Sequence, residues 1–178
     1  MRKHKILGQI MIVFFLVGSM AHIAWTAEDE VKLKTIQELV KEAQDGVNFI
    51  TIDTMKKSIQ ENDKLVLLDV RTEREYQAAH IKGATWLERG IAEFVLARTL
   101  PIQDAEIIVY CKGGNRTGLV VKALTRAGYT NVVGLEGGFD AWANQGNPVY
   151  NFLGEFKATD LAVIKGGTLK MNYYEDKK

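Results

Sequence analysis

The sequence predicts one α/β domain built on a mostly parallel central sheet. Two observations lead there. Five short apolar, β-branched runs alternate with segments of helical periodicity, and the connections between them are short, often closed by glycine. The 178 residues suffice for one well-packed domain and are too few for two of ordinary size. With 47% hydrophobic and 25% charged residues, the composition argues against disorder and against a fibrous repeat. No internal repeat or low-complexity segment is present. The net charge of +1 gives no broad electrostatic preference for nucleic acid.

The elements follow in order. Residues 33–46 carry apolar Leu33, Ile36, Leu39, Val40 and Ala43 on a helical stripe, with Gly46 suited to the end. Residues 47–52, VNFITI, read as a strand. Asp53 or Thr54 is placed to cap a short helix through residue 62. KLVLLDV (64–70) is a second strand, apolar on both faces as in a buried parallel sheet. Thr72 and Glu75 open 72–80 with a capping-box pattern. A short strand is expected at 83–88. A helix follows at 90–100, with Ile91, Phe94, Val95 and Leu100 on roughly one face and Pro101 breaking it. Then come a strand at 105–111, a helix at 117–129, a strand at 131–137 and a last helix at 138–146, closed by Gly146 and Pro148. Residues 149–178 do not continue the pattern and stay open between helix, strand and polar tail.

The N-terminus differs in kind. Arg2, Lys3 and Lys5 precede an almost wholly apolar run from Ile6 to Met20, followed by small residues. Ser19-Met20-Ala21 is the best small-x-small cleavage match, and Ala27 is a second. That order is the order of a secretory signal peptide, so residues 1–27 are expected to direct export to a periplasm or an equivalent compartment. The alternative is an uncleaved anchor, because the run extends to Trp25 and is then just long enough to span a bilayer. Without residues 1–27 the chain holds 20 basic and 22 acidic side chains, one histidine (His80) and one cysteine (Cys111). No zinc site of ordinary Cys/His type and no internal disulfide can be built from that set. A lone cysteine in an oxidising compartment is either buried and inert or kept for its reactivity.

Its surroundings favour reactivity. Cys111 closes the run Ile107-Ile108-Val109-Tyr110 at the carboxyl end of a predicted parallel strand, where open α/β sheets place their ligand crevice. Lys112, Gly113, Gly114, Asn115 and Arg116 lead into a helix expected to open at Thr117. Glycines let the loop curl with its N–H groups inward as an anion-binding nest. The helix start adds a positive dipole end, and Lys112 and Arg116 add full charges. All of these favour thiolate over thiol, and they equally hold an anionic substrate.

Together LLDVRTEREYQAAHIKGA (67–84), IVYCKGGNRTG (108–118) and AGYTNVVGLEGGFDAW (127–142) resemble the single-domain rhodaneses, a sulfurtransferase family. The resemblance covers roughly residues 50 to 150 and divides the chain into a signal segment (1–27), a helical extension (28–48), a rhodanese domain (49–150) and a C-terminal extension (151–178). It implies a five-stranded, mostly parallel sheet flanked by helices on both faces. It implies Cys111 as the nucleophile that takes sulfane sulfur from a donor such as thiosulfate or polysulfide, forms a persulfide, and passes the sulfur to a thiol, cyanide or a partner sulfur-carrier protein. The amides of Lys112 to Arg116 would cradle the terminal sulfur, with Thr117 as a hydroxyl donor. No metal or organic cofactor is implied. The membrane becomes a partner only if the N-terminal segment stays uncleaved.

Loop length separates two chemistries. The related dual-specificity phosphatases place five residues between cysteine and arginine. Here four, 112 to 115, separate Cys111 from Arg116, as in the sulfurtransferase loop. A phosphatase or arsenate reductase is therefore the lesser alternative, and a non-catalytic binding module the other. Asp69 and Arg71 match the family's DxR and are expected near the site in a supporting, structural role. His80 lies in AHIKGA, where the family often has GHIPGA, and reads as structural. Trp142 reads as core.

Overall fold

The computed structural model describes residues 33–158. The expected signal segment and the tail beyond residue 158 lie outside the described residues. Among the described residues no helix is long and apolar enough to cross a membrane.

The elements are α1 (Ile36–Gln44), β1 (Phe49–Ile50), α2 (Ile52–Glu61), β2 (Val66–Asp69), α3 (Glu73–Ala78), β3 (Thr85–Trp86) and α4 (Ala92–Thr99). They continue with β4 (Ile107–Tyr110), α5 (Asn115–Arg126), β5 (Val132–Leu135), α6 (Gly138–Asn144) and the hairpin β6 (Pro148–Asn151) and β7 (Gly154–Lys157). The first five strands form one sheet in the order β1-β5-β4-β2-β3, every pair parallel. β4 is central. The chain leaving β4 moves through α5 toward β5, and the chain leaving β2 moves through α3 toward β3. The two connections part at the carboxyl ends of β2 and β4, the switch point at which open α/β sheets place their ligand crevice.

Period-two alternation divides the core. Ile108 and Tyr110 of β4 pack on one face with Ile52, Met55, Phe139 and Trp142, beneath α2 and α6. Ile107, Val109 and Cys111 point to the other face, with Ala92, Leu96, Val120 and Leu124 of α4 and α5. Helices therefore cover both faces, which is why β2 and β4 read as continuous apolar runs.

The cap of α2 and the start of α5 differ from expectation, and the exposure of α4 and α1 is decided by their neighbours. α2 is capped by Thr51, whose Oγ1 accepts from the Thr54 N–H at 3.2 Å, so the cap lies two residues before Asp53. α4 buries Ala92 and Leu96, while Ile91 and Phe94 are exposed. Small residues and Leu96 fit the close approach to α5, and the larger side chains are left outside. The α1 stripe is also mostly solvent-facing: Ile36 and Leu39 are exposed and only Ala43 is buried. The C-terminal turn of α1 docks on α5 at Gly118, where an added Cβ would lie 2.3 Å from the Ala43 carbonyl oxygen. α5 itself starts at Asn115, two residues before the expected Thr117. Beyond Pro148 the chain forms the antiparallel β6–β7 hairpin, tied to the body by backbone bonds between His80 and Tyr150 and by buried Val149.

Candidate active site

The site is built at the end of β4. Cys111 is buried beneath its own loop, and the Gly114 N–H donates to its Sγ at 3.2 Å. That bond requires the chain to reverse within three residues. Gly114 does so with φ at +93°, a region where a Cβ would be strained. Gly114 is also the N-cap of α5, so the helix begins over the sulfur and brings its positive end to it.

The first turn of α5 carries Asn115, Arg116 and Thr117. Asn115 is exposed. Arg116 turns toward α3, where its Nη1 and Nη2 each donate at 2.9 Å to a different oxygen of Glu75. This fork-to-fork geometry is the strong form of the ion pair. The pair and the electrostatic interaction with the Cys111 side chain raise the Arg116 pKa further, against the effect of burial. Burial alone would raise Glu75. Hydrogen bonds from Arg116 and from the Thr72 backbone and hydroxyl outweigh it and bring the carboxyl down to about 2. Thr117 is fully buried, and its Oγ1 has no hydrogen-bond partner among the described residues. A buried hydroxyl left unmatched costs about 1–3 kcal/mol, so this one is set to gain from a ligand that accepts.

Glu75 is the residue that sequence reading assigned only to a helix cap. It does cap α3: Thr72 Oγ1 accepts from the Glu75 N–H, and the Glu75 carboxylate accepts from the Thr72 N–H at 3.0 Å. The same carboxylate then holds Arg116. The capping-box pattern was a usable signal for where this side chain points, but not for what it meets.

α6 supports the loop from the other side. The N–H groups of Phe139 and Asp140 donate to the carbonyls of Cys111 and Lys112 at 2.8 and 2.9 Å. Backbone this close leaves no room for a side chain between: a Cβ on Gly138, whose φ is +56°, would lie 2.4 Å from the Cys111 oxygen. Asp140 is half-buried and its pKa is raised, chiefly by burial, with Lys112, Arg71 and Arg116 acting the other way and Glu75 adding to the rise. Sequence reading passed over Asp140 too.

Asp69 and Arg71 lie beside the site in the core. Arg71 Nη2 donates to Asp69 Oδ2 and to the Ala79 carbonyl, each at 2.6 Å, and Nε donates to the Asp69 carboxylate at 3.0 Å. The Arg71 guanidinium lies 4.0 Å from the Phe139 ring centre. The pair thus ties β2, the end of α3 and α6 together behind the loop. His80 stacks on Tyr76 at 4.1 Å, with Nδ1 3.0 Å from the Tyr76 carbonyl oxygen. Trp142 is core, its Nε1 donating to the Pro148 carbonyl. Among the described residues no group of His, Cys, Asp and Glu side chains is arranged to hold a metal ion.

The rhodanese-like domain family matches residues 51–145, more than half of the chain and all of the loop just described. The chain belongs to that family. This rhodanese-like domain is 28% identical over 103 residues to a sulfurtransferase of Allochromatium vinosum, covering 58% of this chain and 94% of that protein. It is 32% identical over 99 residues to a protein of Mycobacterium tuberculosis named as a probable adenylyltransferase/sulfurtransferase, MoeZ. That match takes in 56% of this chain and 25% of the mycobacterial protein, so the chain spans only a quarter of that relative's length. Among solved structures, it is similar to a Rhodopseudomonas palustris protein of unknown function described as a possible tyrosine phosphatase. That likeness has a TM-score of 0.58 at 27% identity, over 68% of this chain and 98% of the other.

Proposed function

We propose that this rhodanese-like chain is a sulfurtransferase that carries sulfane sulfur as a persulfide on Cys111. The observation that carries the reading is the Gly114 N–H aimed at the Cys111 sulfur at 3.2 Å inside a four-residue loop that ends on Arg116. The donor, the helix start and the nearby guanidinium all stabilise negative charge on sulfur, both before attack and after the persulfide forms. In the transfer, the Cys111 thiolate attacks the outer sulfur of the donor. The new S–S bond forms as the donor's bond breaks, and the leaving group departs with the electron pair. With thiosulfate the leaving group is sulfite, which takes up the charge of the thiolate, and the transferred sulfur keeps the negative charge it carried in the donor. An acceptor nucleophile, a thiolate or cyanide, then takes that sulfur and regenerates the thiolate. The loop amides and the unpaired Thr117 hydroxyl are the groups available to hold the transferred atom. Thiosulfate and polysulfide are both candidate donors, and a partner sulfur-carrier protein is a candidate acceptor.

The test is an intact mass after incubation with thiosulfate or polysulfide. A gain of one sulfur atom, reversed by cyanide or dithiothreitol and absent in Cys111→Ser, is expected. A protein that gains no sulfur from either donor is not this enzyme. A second reading, a binding module or pure sulfur carrier, draws on the burial of Cys111 and on the engagement of Arg116 with Glu75. Under it the persulfide would form only on contact with a partner protein. A phosphatase is less well supported, because the Cys111-to-Arg116 loop is one residue short of the phosphatase length.

We further propose that residues 1–27 direct export, with the uncleaved anchor as the alternative. The support is the basic start, the apolar run and the small residues after it. Cell fractionation with N-terminal sequencing tests this: a protein starting after Ala21 or Ala27 outside the cytoplasm is expected, and a full-length cytoplasmic protein overturns it.

A further inference from the structure

Both cations of the Cys111 loop have an acidic residue near them. Arg116 gives both terminal nitrogens of its guanidinium to Glu75. Lys112, directly after the cysteine, lies within electrostatic reach of the Asp140 carboxylate. The main chain holds Asp140 in that place, since its N–H donates to the Lys112 carbonyl at 2.9 Å and the preceding N–H donates to Cys111 itself. Asp140 is half-buried against the loop; burial raises its pKa most, Lys112, Arg71 and Arg116 act against that rise, and Glu75 adds to it. Arg71 adds no uncompensated charge, being committed to buried Asp69. The rim around the thiol is therefore balanced in charge, which is not what a site selecting a small dianion needs.

We propose that Asp140 is a specificity-determining residue of the sulfur-transfer site, setting it against dianionic thiosulfate and in favour of donors with at most one negative charge at the reacting end, namely persulfides and thiosulfonates. This rests on the sulfurtransferase reading above. A fixed carboxylate repels a dianion twice as strongly as a monoanion at the same place, and the low local dielectric makes the difference count. Both donor classes complete the same step. With a protonated persulfide, R–S–SH, the Cys111 thiolate bonds to the outer sulfur, the S–S bond of the donor breaks, and RS⁻ leaves with the electron pair. The proton stays on the transferred sulfur. With a thiosulfonate the same bond changes release a sulfinate, and with thiosulfate they release sulfite. No oxidant or reductant is needed in either case.

Methanethiosulfonate and thiosulfate form a matched pair of probes, with the same outer sulfur and a sulfonyl-type leaving group but one charge of difference. The second-order rate of sulfur loading on Cys111 is measured by mass for each donor in wild type, Asp140→Asn and Asp140→Ser. Both variants keep the backbone N–H that holds Lys112, and comparing them separates charge from shape. Removing the charge is expected to raise thiosulfate loading about tenfold and methanethiosulfonate loading about threefold, in line with charges of two and one. The ratio between donors then shifts about threefold in both variants. A merely structural role for Asp140 would move both rates together and leave the ratio unchanged, and that result overturns the inference while sulfur transfer stands. If neither donor loads Cys111 in any of the three proteins, the sulfurtransferase reading falls, and this inference with it.

Discussion

Glu75 does two jobs with one carboxylate. It closes the α3 capping box on Thr72 and holds Arg116 beside the thiol. Its carboxyl lies near 2 instead of the ordinary 4.5. A lowered carboxyl contributes stability that is fully present above the unfolded value and is lost as pH falls through the folded one. Wild type should therefore lose about 2 to 3 kcal/mol relative to Glu75→Gln between about pH 5 and pH 2. Urea unfolding at stepped pH measures this, and a constant difference between the two proteins would contradict the pairing. At neutral pH the same variant should load sulfur about tenfold more slowly, because Arg116 is no longer held in place. Cys111 and the loop through Arg116 were legible because they are contiguous in sequence. The Arg116–Glu75 pair was not, because its partners lie 41 residues apart and meet only where the first turns of α3 and α5 come together beyond the ends of β2 and β4.

Among the elements, α6 and α1 show how backbone contact sets residue choice. Gly138 lies against the Cys111 and Lys112 carbonyls in a left-handed conformation. Gly138→Ala should destabilise the domain by about 1–3 kcal/mol through strain and overpacking. It should also slow sulfur loading by displacing the loop, and denaturant unfolding with the loading rate checks both effects. A stability loss with an unchanged rate would mean that α6 does not position the thiol. Gly118 gives the opposite intuition. It sits inside α5, where alanine is intrinsically favoured by about 1 kcal/mol. Yet its Cβ would meet the Ala43 carbonyl at 2.3 Å, so Gly118→Ala should loosen α1. Faster tryptic cleavage at Lys41 is the expected sign, and unchanged cleavage would argue that α1 shifts without cost. Periodicity showed that α1 and α4 are helices but not how far their apolar residues are buried, because it marks a face and the neighbour decides how much of that face is covered.

At the scale of the whole molecule, the buried Asp69–Arg71 pair joins the end of β2 to Ala79 and, through the ring of Phe139, to α6. Removing one partner strands a charge in the core. Arg71→Met should cost about 3–5 kcal/mol, and pairing it with Asp69→Asn should recover much of that. Thermal unfolding of the single and double variants tests this, and equal losses in both would make the charge irrelevant. The pair of the DxR segment lies behind the loop, in contact with the ends of β2 and α3 and with α6.

The alternation of apolar β-branched runs with helical segments was enough to establish a parallel α/β sheet, because burial on both faces imprints itself on consecutive residues. The Cys111 loop was legible for the same kind of reason, since strand, cysteine, glycines and arginine all fall within one short segment. Strand order, the coverage of α1 and α4, the pairing of Glu75 with Arg116 and the seat of Asp140 against the loop were not. Each depends on contacts between distant segments, and those form only when helices and strands fold against one another, leaving no periodic trace in the chain.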